Sequence, residues 1–209
     1  MGKSGDWGLW MLALFSCLLW ACREPDTRIG RNLDLPYGRF RDGDLAFRRG
    51  GGLTSRAVLA ADAGGVYSHV GLLKREGDEW FVIHAVPGES VDATDVDRVK
   101  CEPVDRFFAA DRAVCGAVMR VKADSLLCAG AACHAGRLAL ERVLFDHDYD
   151  LADTTRLYCT ELVDFVYRIQ GIDLPEGRIS RIQLPGFHGD FLLPSDLFES
   201  GKLDLLFEF

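Results

Sequence analysis

Three side chains of this sequence have the types needed for nucleophilic catalysis: Cys159, His69 and His84. A cysteine thiolate attacks carbonyl carbon, and a neighbouring imidazole takes the thiol proton and later returns it to the leaving group. A third polar group holds that imidazole in the tautomer that accepts the proton. The set therefore predicts a cysteine hydrolase in which Cys159 is the nucleophile, His69 the base and His84 the residue that orients His69.

Cys159 stands at the start of a predicted helix. The helix has an apolar stripe and a glycine, Gly171, where it should end; the stripe consists of Leu162, Val163, Phe165 and Val166. A helix N-terminus favours the thiolate and offers free N–H groups to an oxyanion. Glu161 either complements this positive end or contacts an amine on the substrate.

The two histidines lie on a predicted β-hairpin, with strands over residues 67–73 and 80–86 that are rich in Val, Ile, Phe and Trp. A two-residue turn at Glu76 and Gly77 sets a register in which His69 lies directly opposite His84. Opposite residues share a face, with Cβ atoms about 4.5–5.5 Å apart. The hairpin thus predicts two adjacent imidazoles, although a slip of one residue would separate them.

The remaining pattern predicts an α+β domain with an antiparallel sheet. Weak alternation predicts strands over 44–48 and 113–122, and an edge strand over 203–207. Helices are expected over 53–63 and over 125–144, the second with Ser125 as its cap.

Each site residue also has an ordinary structural interpretation. Cys159 alone would be a buried core cysteine, and His69 alone a satisfied strand histidine. Together with His84 they could bind zinc, since two imidazoles and a thiolate are ordinary zinc ligands. No Cys-x-x-Cys or His-Glu-x-x-His spacing supports a metal, so we predict no metal and no cofactor.

The first 22 residues are typical of an exported leader. A short basic start precedes an apolar run that is too short for a membrane span of ~20 residues. The run ends in Leu19-Trp20-Ala21-Cys22, which resembles the lipobox of bacterial lipoproteins and would make Cys22 the lipidated residue. Cys17 is a poorer candidate, and a plain membrane anchor is the alternative. Because Arg23 follows, we expect an outer-membrane lipoprotein facing the periplasm.

Residues 23–41 are predicted to be a polar linker, and residues 42–209 a single domain. The formal net charge is -8, without a basic cluster, which argues against nucleic-acid binding. Beyond the leader, an odd number of cysteines remains, so at least one thiol has no partner within the chain. The sequence leaves open whether Cys101 and Cys115 form a disulfide.

Four segments carry a resemblance to a known family: Gly43-Asp44, Tyr67-Ser68-His69-Val70-Gly71, Tyr158-Cys159-Thr160-Glu161-Leu162-Val163 and Pro194-Ser195-Asp196-Leu197. They resemble the YaeF/YiiX family of permuted papain-like amidases, which is related to NlpC-type peptidases and lecithin–retinol acyltransferases. The resemblance covers most of residues 40–200 and implies a permuted papain-like fold, in which the His strand precedes the Cys helix.

The resemblance also implies roles for single residues. Cys159 matches the family nucleophile, His69 the base, and Tyr158 a tyrosine that lines the site. The third position falls on His84, where Glu is common in this family and His in the acyltransferase relatives.

Sequence and resemblance together predict hydrolysis of an amide bond through a thioester acyl-enzyme. The expected partners are a peptide or acyl-amide substrate, with peptidoglycan as one source, and a membrane reached through the N-terminal lipid. Two alternatives remain: a lipid acyltransferase or thioesterase, and a tethered binding domain without catalysis.

Overall fold

A computed structural model of the 209-residue chain describes residues 33–89, 94–184 and 187–209. The predicted leader, with Cys17 and Cys22, lies outside the described residues, as does most of the predicted linker. Of that linker, residues 33–41 are described. Leu35 and Phe40 from this part are buried against the sheet, so it packs with the domain.

The described strands are β1 Leu45–Arg49, β2 His69–Glu76, β3 Glu79–Val86, β4 Arg98–Pro103, β5 Cys115–Val121, β6 Ser180–Leu184, β7 Phe187–Phe191 and β8 Leu203–Glu208. They are antiparallel and form a six-stranded sheet in the order β4-β3-β2-β1-β5-β8 and a separate hairpin of β6 and β7. The predicted edge strand is confirmed as β8. Strand β4 and the β6–β7 hairpin were not predicted.

Five helices are described: α1 Leu53–Ala61, α2 Val104–Phe107, α3 Ser125–Leu140, α4 Cys159–Ile169 and α5 Pro194–Phe198. Helix α3 ends four residues earlier than predicted because the chain turns away to pair with β4, where the Val99 N–H donates to the Val143 carbonyl. Its cap is Asp124, whose carboxylate accepts from the Leu126 N–H, and not Ser125. Among the described residues, no helix combines the length and hydropathy needed to cross a bilayer.

Helices cover both faces of the sheet. Helices α3 and α4 pack on one face against a core that includes Phe47, Val70, Leu72 and Ile83. The short helix α2 and the aromatic C-terminal residues pack on the opposite face. The mixed α+β class, with an antiparallel sheet packed against helices, is therefore confirmed.

The hairpin register differs from the prediction. Leu72 pairs with Ile83 and Glu76 with Glu79, so Gly77 and Asp78 form the turn, where Gly77 supplies a positive φ of 62°. In this register His84 lies opposite Gly71 and not opposite His69. A shift of two residues keeps every side chain on its predicted face. His69 and His84 are therefore diagonal neighbours, still within reach of each other.

The sheet order excludes the disulfide that the sequence left open. Cys101 lies on β4 and Cys115 on β5, and the strands β3, β2 and β1 separate them. Neighbouring strands are about 4.8 Å apart, so the two cysteines are several strand spacings from bonding distance.

Gly71 leaves the space in which His84 sits. A Cβ at Gly71 would lie 2.5 Å from Val82 Cγ1, 2.8 Å from the Ile83 carbonyl oxygen and 2.9 Å from His84 Cβ. We expect Gly71→Ala to lower the free energy of unfolding by about 1–3 kcal/mol, because the added methyl overpacks the sheet. Urea denaturation would measure this change.

Gly38→Ala is the matched control, because a Cβ at Gly38 would meet nothing within 4 Å. Its effect should stay within about 0.5 kcal/mol. Equal midpoints for the two variants would contradict the close approach at Gly71.

Candidate active site

Cys159 is the first residue of α4, and Tyr158 precedes it as the extended N-cap. Backbone N–H groups of Val70, Thr160 and Cys159 face the sulfur. Two of these groups belong to the helix N-terminus, and the third belongs to β2, next to His69. The amphipathic pattern that predicted the helix therefore places the thiol at the contact between α4 and the sheet.

The two predicted histidines meet in the protein interior. His69 Nε2 lies 2.8 Å from His84 Nδ1, and the side chains are 8% and 1% exposed. Phe107 of α2 packs against both rings, with centroid distances of 5.8 Å and 5.3 Å. Because His69 Nε2 is engaged by His84, His69 Nδ1 is the ring nitrogen left for another partner.

Behind His84 lies a carboxylate that the sequence analysis did not identify. His84 Nε2 is 3.0 Å from Glu102 Oε1, although the two atoms are not aligned as in a good hydrogen bond. Neither buried atom has another hydrogen-bond partner among the described residues. Leaving a buried polar atom without a hydrogen bond costs about 1–3 kcal/mol, so we expect His84 Nε2 and Glu102 Oε1 to bond to each other.

A buried charge network surrounds this carboxylate. Arg112 Nη1 donates to Glu102 Oε2 at 2.9 Å and also pairs with Glu89. Arg48 pairs with Glu89, lies 3.8 Å from Glu102, and places its guanidinium carbon 4.4 Å from the centre of the Phe107 ring. Two arginines thus face two glutamates, and the charges compensate each other in a region of low solvent access.

Burial keeps the reactive groups neutral in the resting protein. Desolvation raises the pKa of Cys159 to about 11, against the lowering effect of the three N–H groups and Arg48. The pKa of His69 lies well below its ordinary value because of burial and of the charges of Arg48 and His84. The pKa of His84 is lowered in the same way by burial and by Arg48, Arg112 and Lys100. The free protein therefore holds a neutral thiol and a neutral imidazole in the wall of one cavity.

The two residues that the sequence assigned to substrate binding occupy different positions. Tyr158 lines the cavity beside Cys159, and its hydroxyl accepts from the Leu192 N–H at 3.0 Å. Glu161 does not line that cavity. Its Oε2 accepts from the Tyr158 N–H at 3.3 Å, which caps α4, and desolvation raises its pKa to about 8.

An apolar cavity of about 430 Å³ opens beside the thiol. Among the described residues, the ionisable side chains in its wall are His69, Cys159, Tyr149 and Tyr158. The wall is formed by Thr54, Ala57, Val58, Ala60, Ala61, Ser68, His69, Ala85, Pro87, Phe145, Tyr149, Tyr158, Cys159, Thr160, Phe191, Leu192, Leu193 and Pro194. The unpredicted β6–β7 hairpin supplies Phe191, which lies near Tyr149.

A second cavity, of about 450 Å³, is also lined by His69. It is lined by the Gly50–Gly52 loop and by polar and charged side chains, among them Arg48, Glu89, Asp111 and Arg112. The two cavities share Thr54, Ser68, His69 and Pro87 in their walls. His69 thus lines both an apolar cavity and a more polar cavity.

The geometry does not favour zinc on the three predicted residues. His69 and His84 direct ring nitrogens at each other across 2.8 Å, whereas two ligands of one zinc ion must both point at the ion. Within the described ranges, no group of three or more His, Cys, Asp and Glu side chains is arranged to hold a metal ion.

Comparison with solved structures identifies a similar fold. A crystal structure of the metalloprotein YiiX from Escherichia coli O157:H7, described as DUF1105, matches with a TM-score of 0.65. The match covers 81% of this chain and 97% of that chain, at 20% sequence identity. The chain therefore has a YiiX-like fold. No family model and no curated protein matches the sequence.

The neutral resting state predicts how Cys159 reacts with iodoacetamide. Because the pKa of the thiol is raised to about 11, the thiolate fraction and the alkylation rate should climb steadily between pH 7 and pH 10. The rise should approach about tenfold per pH unit, and peptide mass spectrometry would follow it at Cys159. Cys133, which is exposed, serves as an internal reference. A rate that is already constant below pH 7 would instead indicate a preformed thiolate–imidazolium pair.

Proposed function

We propose that this chain is a cysteine hydrolase with a permuted papain-like fold, in which Cys159 attacks a carbonyl group and His69 is its base. The observation that carries the proposal is that Cys159 and His69 line one apolar cavity, while His69 is held from behind by His84. The order of the elements supports the permutation, because the histidine strand β2 precedes the cysteine helix α4.

The neutral pair defines the first chemical step. As the sulfur attacks the carbonyl, the thiol proton passes to His69 Nδ1, and charge appears only when substrate has filled the cavity. The N–H groups at the start of α4 stabilise the developing oxyanion. His69 then gives the proton to the leaving group, which departs from a thioester on Cys159. Water, activated by the same imidazole, hydrolyses that thioester and restores the thiol.

The cavity favours an acyl group with an apolar chain. Its wall consists of aliphatic and aromatic side chains with a few hydroxyl groups, and burial of each CH₂ group there is worth about 0.8 kcal/mol. The second, more polar cavity suits the leaving group, because His69 lines both cavities and must protonate that group. Cell-wall peptides, which the sequence analysis favoured, would place polar groups against this wall.

The same cavity supports a second candidate, an acyltransferase or thioesterase acting on lipid acyl groups. Both enzymes would form the same acyl-enzyme. An acyltransferase would pass the acyl group to an amine or alcohol in place of water, and a thioesterase would take the acyl group from a thioester donor. A binding domain without catalysis would use the cavity for the same apolar chain but would leave Cys159 unmodified.

We further propose that Cys22 carries a lipid that places the domain on the periplasmic side of an outer membrane. This proposal rests on the lipobox-like Leu19-Trp20-Ala21-Cys22 and on Arg23. Metabolic labelling of the full chain with radioactive palmitate should mark the protein in a bacterial host. Cys22→Ser should abolish the label, whereas a label retained in that variant and lost in Cys17→Ser would move the anchor to Cys17.

Acyl chain length provides the test of the hydrolase. With p-nitrophenyl esters and N-acyl amides of two to twelve carbons, kcat/KM should rise by up to about fourfold per added methylene until the cavity is full. Ala60→Phe narrows the cavity and should move the optimum to shorter chains.

Two variants control this experiment. Leu59→Phe adds a ring at the neighbouring position of α1, which is not part of the wall, and should leave the optimum unchanged. Cys159→Ala should remove hydrolysis while retaining the unfolding midpoint. A folded Cys159→Ala protein that hydrolyses the esters at the wild-type rate would refute the proposal. Absence of any turnover, together with tight binding of the acyl chain, would favour the binding domain.

A further inference from the structure

We infer that Glu102 is a positioning residue that sets the tautomers of both histidines, and thereby leaves His69 Nδ1 free to accept the thiol proton. The inference extends the proposed function, because it assigns a residue that fixes the state of the proposed base. It depends on one series of contacts, which runs from Glu102 through His84 to His69.

The strand register places the three side chains on one face of three neighbouring strands. His84 of β3 pairs with Lys100 of β4, so Glu102 is a diagonal neighbour of His84, just as His84 is a diagonal neighbour of His69. Each diagonal step joins polar atoms of adjacent strands, at 2.8 Å and 3.0 Å. Strand pairing therefore sets the contacts from Glu102 through His84 to His69, and no loop contributes to them.

A carboxylate at this position allows only one direction of hydrogen bonding. An ionised carboxylate is an acceptor only, so His84 Nε2 must carry a proton to satisfy Glu102 Oε1. In the neutral imidazole His84 Nδ1 is then unprotonated and must accept from His69 Nε2. His69 in turn has no proton on Nδ1. The reversed arrangement would direct a lone pair of His84 at the carboxylate.

The surrounding cations pair with the Glu102 carboxylate and disfavour protonation of the imidazoles. Arg112 donates to Glu102 Oε2, and Arg48 lies near Oε1. Among the described residues, the charged groups around the histidine pair are Arg48 on β1, Glu89 after β3, Lys100 and Glu102 on β4, and Arg112 after α2. The cations of this set, together with burial, disfavour a second proton on either ring.

Glu102→Gln tests the inference sharply because it is isosteric. Arg112 still requires an acceptor, so the new amide should direct its oxygen at Arg112 and its NH₂ group at His84 Nε2. His84 must then accept at Nε2 and donate from Nδ1, which forces His69 to accept at Nε2 and to carry its proton on Nδ1. A base that already holds this proton cannot take another from Cys159.

The readout is the ¹⁵N chemical shift of the imidazole nitrogens in the full chain, with assignments from single His→Gln variants. In the wild type, both rings should be protonated at Nε2; in Glu102→Gln, both should be protonated at Nδ1. The kcat/KM for ester hydrolysis should fall roughly tenfold to hundredfold in this variant, because the wrong tautomer predominates.

Glu89→Gln is the matched control. It removes a carboxylate charge that pairs with the same two arginines, and the hydrogen bonds of Glu89 go to Arg48 and Arg112. The histidine tautomers in Glu89→Gln should be those of the wild type, whereas a purely structural role of the charge network would give both variants the same tautomers.

The wild-type spectrum decides the inference even if Glu102→Gln fails to fold. A wild-type His84 that is protonated at Nδ1 would overturn it, as would unchanged tautomers in a folded Glu102→Gln protein. The spectrum does not require turnover. Correct tautomers in a protein without hydrolase activity would therefore sustain the role of Glu102 and reject the proposed function alone.

Discussion

The contact between two buried imidazoles is the interaction on which the site depends. A neutral imidazole has one donor and one acceptor nitrogen, so two of them in contact need further partners of the right kind at both ends. The further partner of His84 is Glu102, and His69 lines the cavity that contains Cys159. The sheet meets this requirement by placing the polar residues of β2, β3 and β4 on a single face. Gly71 provides the space for His84 by having no side chain where a Cβ would clash.

Burying these imidazoles obliges the protein to bury charges as well. The carboxylate of Glu102 pairs with Arg112 and Arg48, and those arginines in turn pair with Glu89. Removal of one member would leave an unpaired charge, which is far more costly than the net gain from the complete network. Burial and the charge of Arg48 together hold the pKa values of His69 and His84 below their ordinary range. Burial and the network therefore both favour neutral imidazoles.

The two unlike cavities that His69 lines relate the site to its substrate. One cavity is apolar and contains the thiol; the other is more polar and contains the arginine–glutamate network. The proposed substrate, an amphiphilic acyl compound, would place its chain in the cavity beside Cys159 and its polar leaving group in the second cavity. A YiiX-like fold by itself would not distinguish among acyl substrates, since folds host many chemistries and the residues of the site decide between them.

Local pattern in the sequence was enough to determine the elements that carry Cys159, His69 and His84, because helical and strand periodicity is a short-range property. The shared face of the two histidines also followed from the hairpin, since a shift of two residues preserves side-chain direction. The turn itself was misplaced by one residue, because the sequence contains acidic residues on both sides of Gly77. Glu102 and the cavity wall were decided only by the tertiary structure. Strand β4 joins the site by pairing with β3, and the β6–β7 hairpin joins it by placing Phe191 near Tyr149; no local pattern specifies either contact.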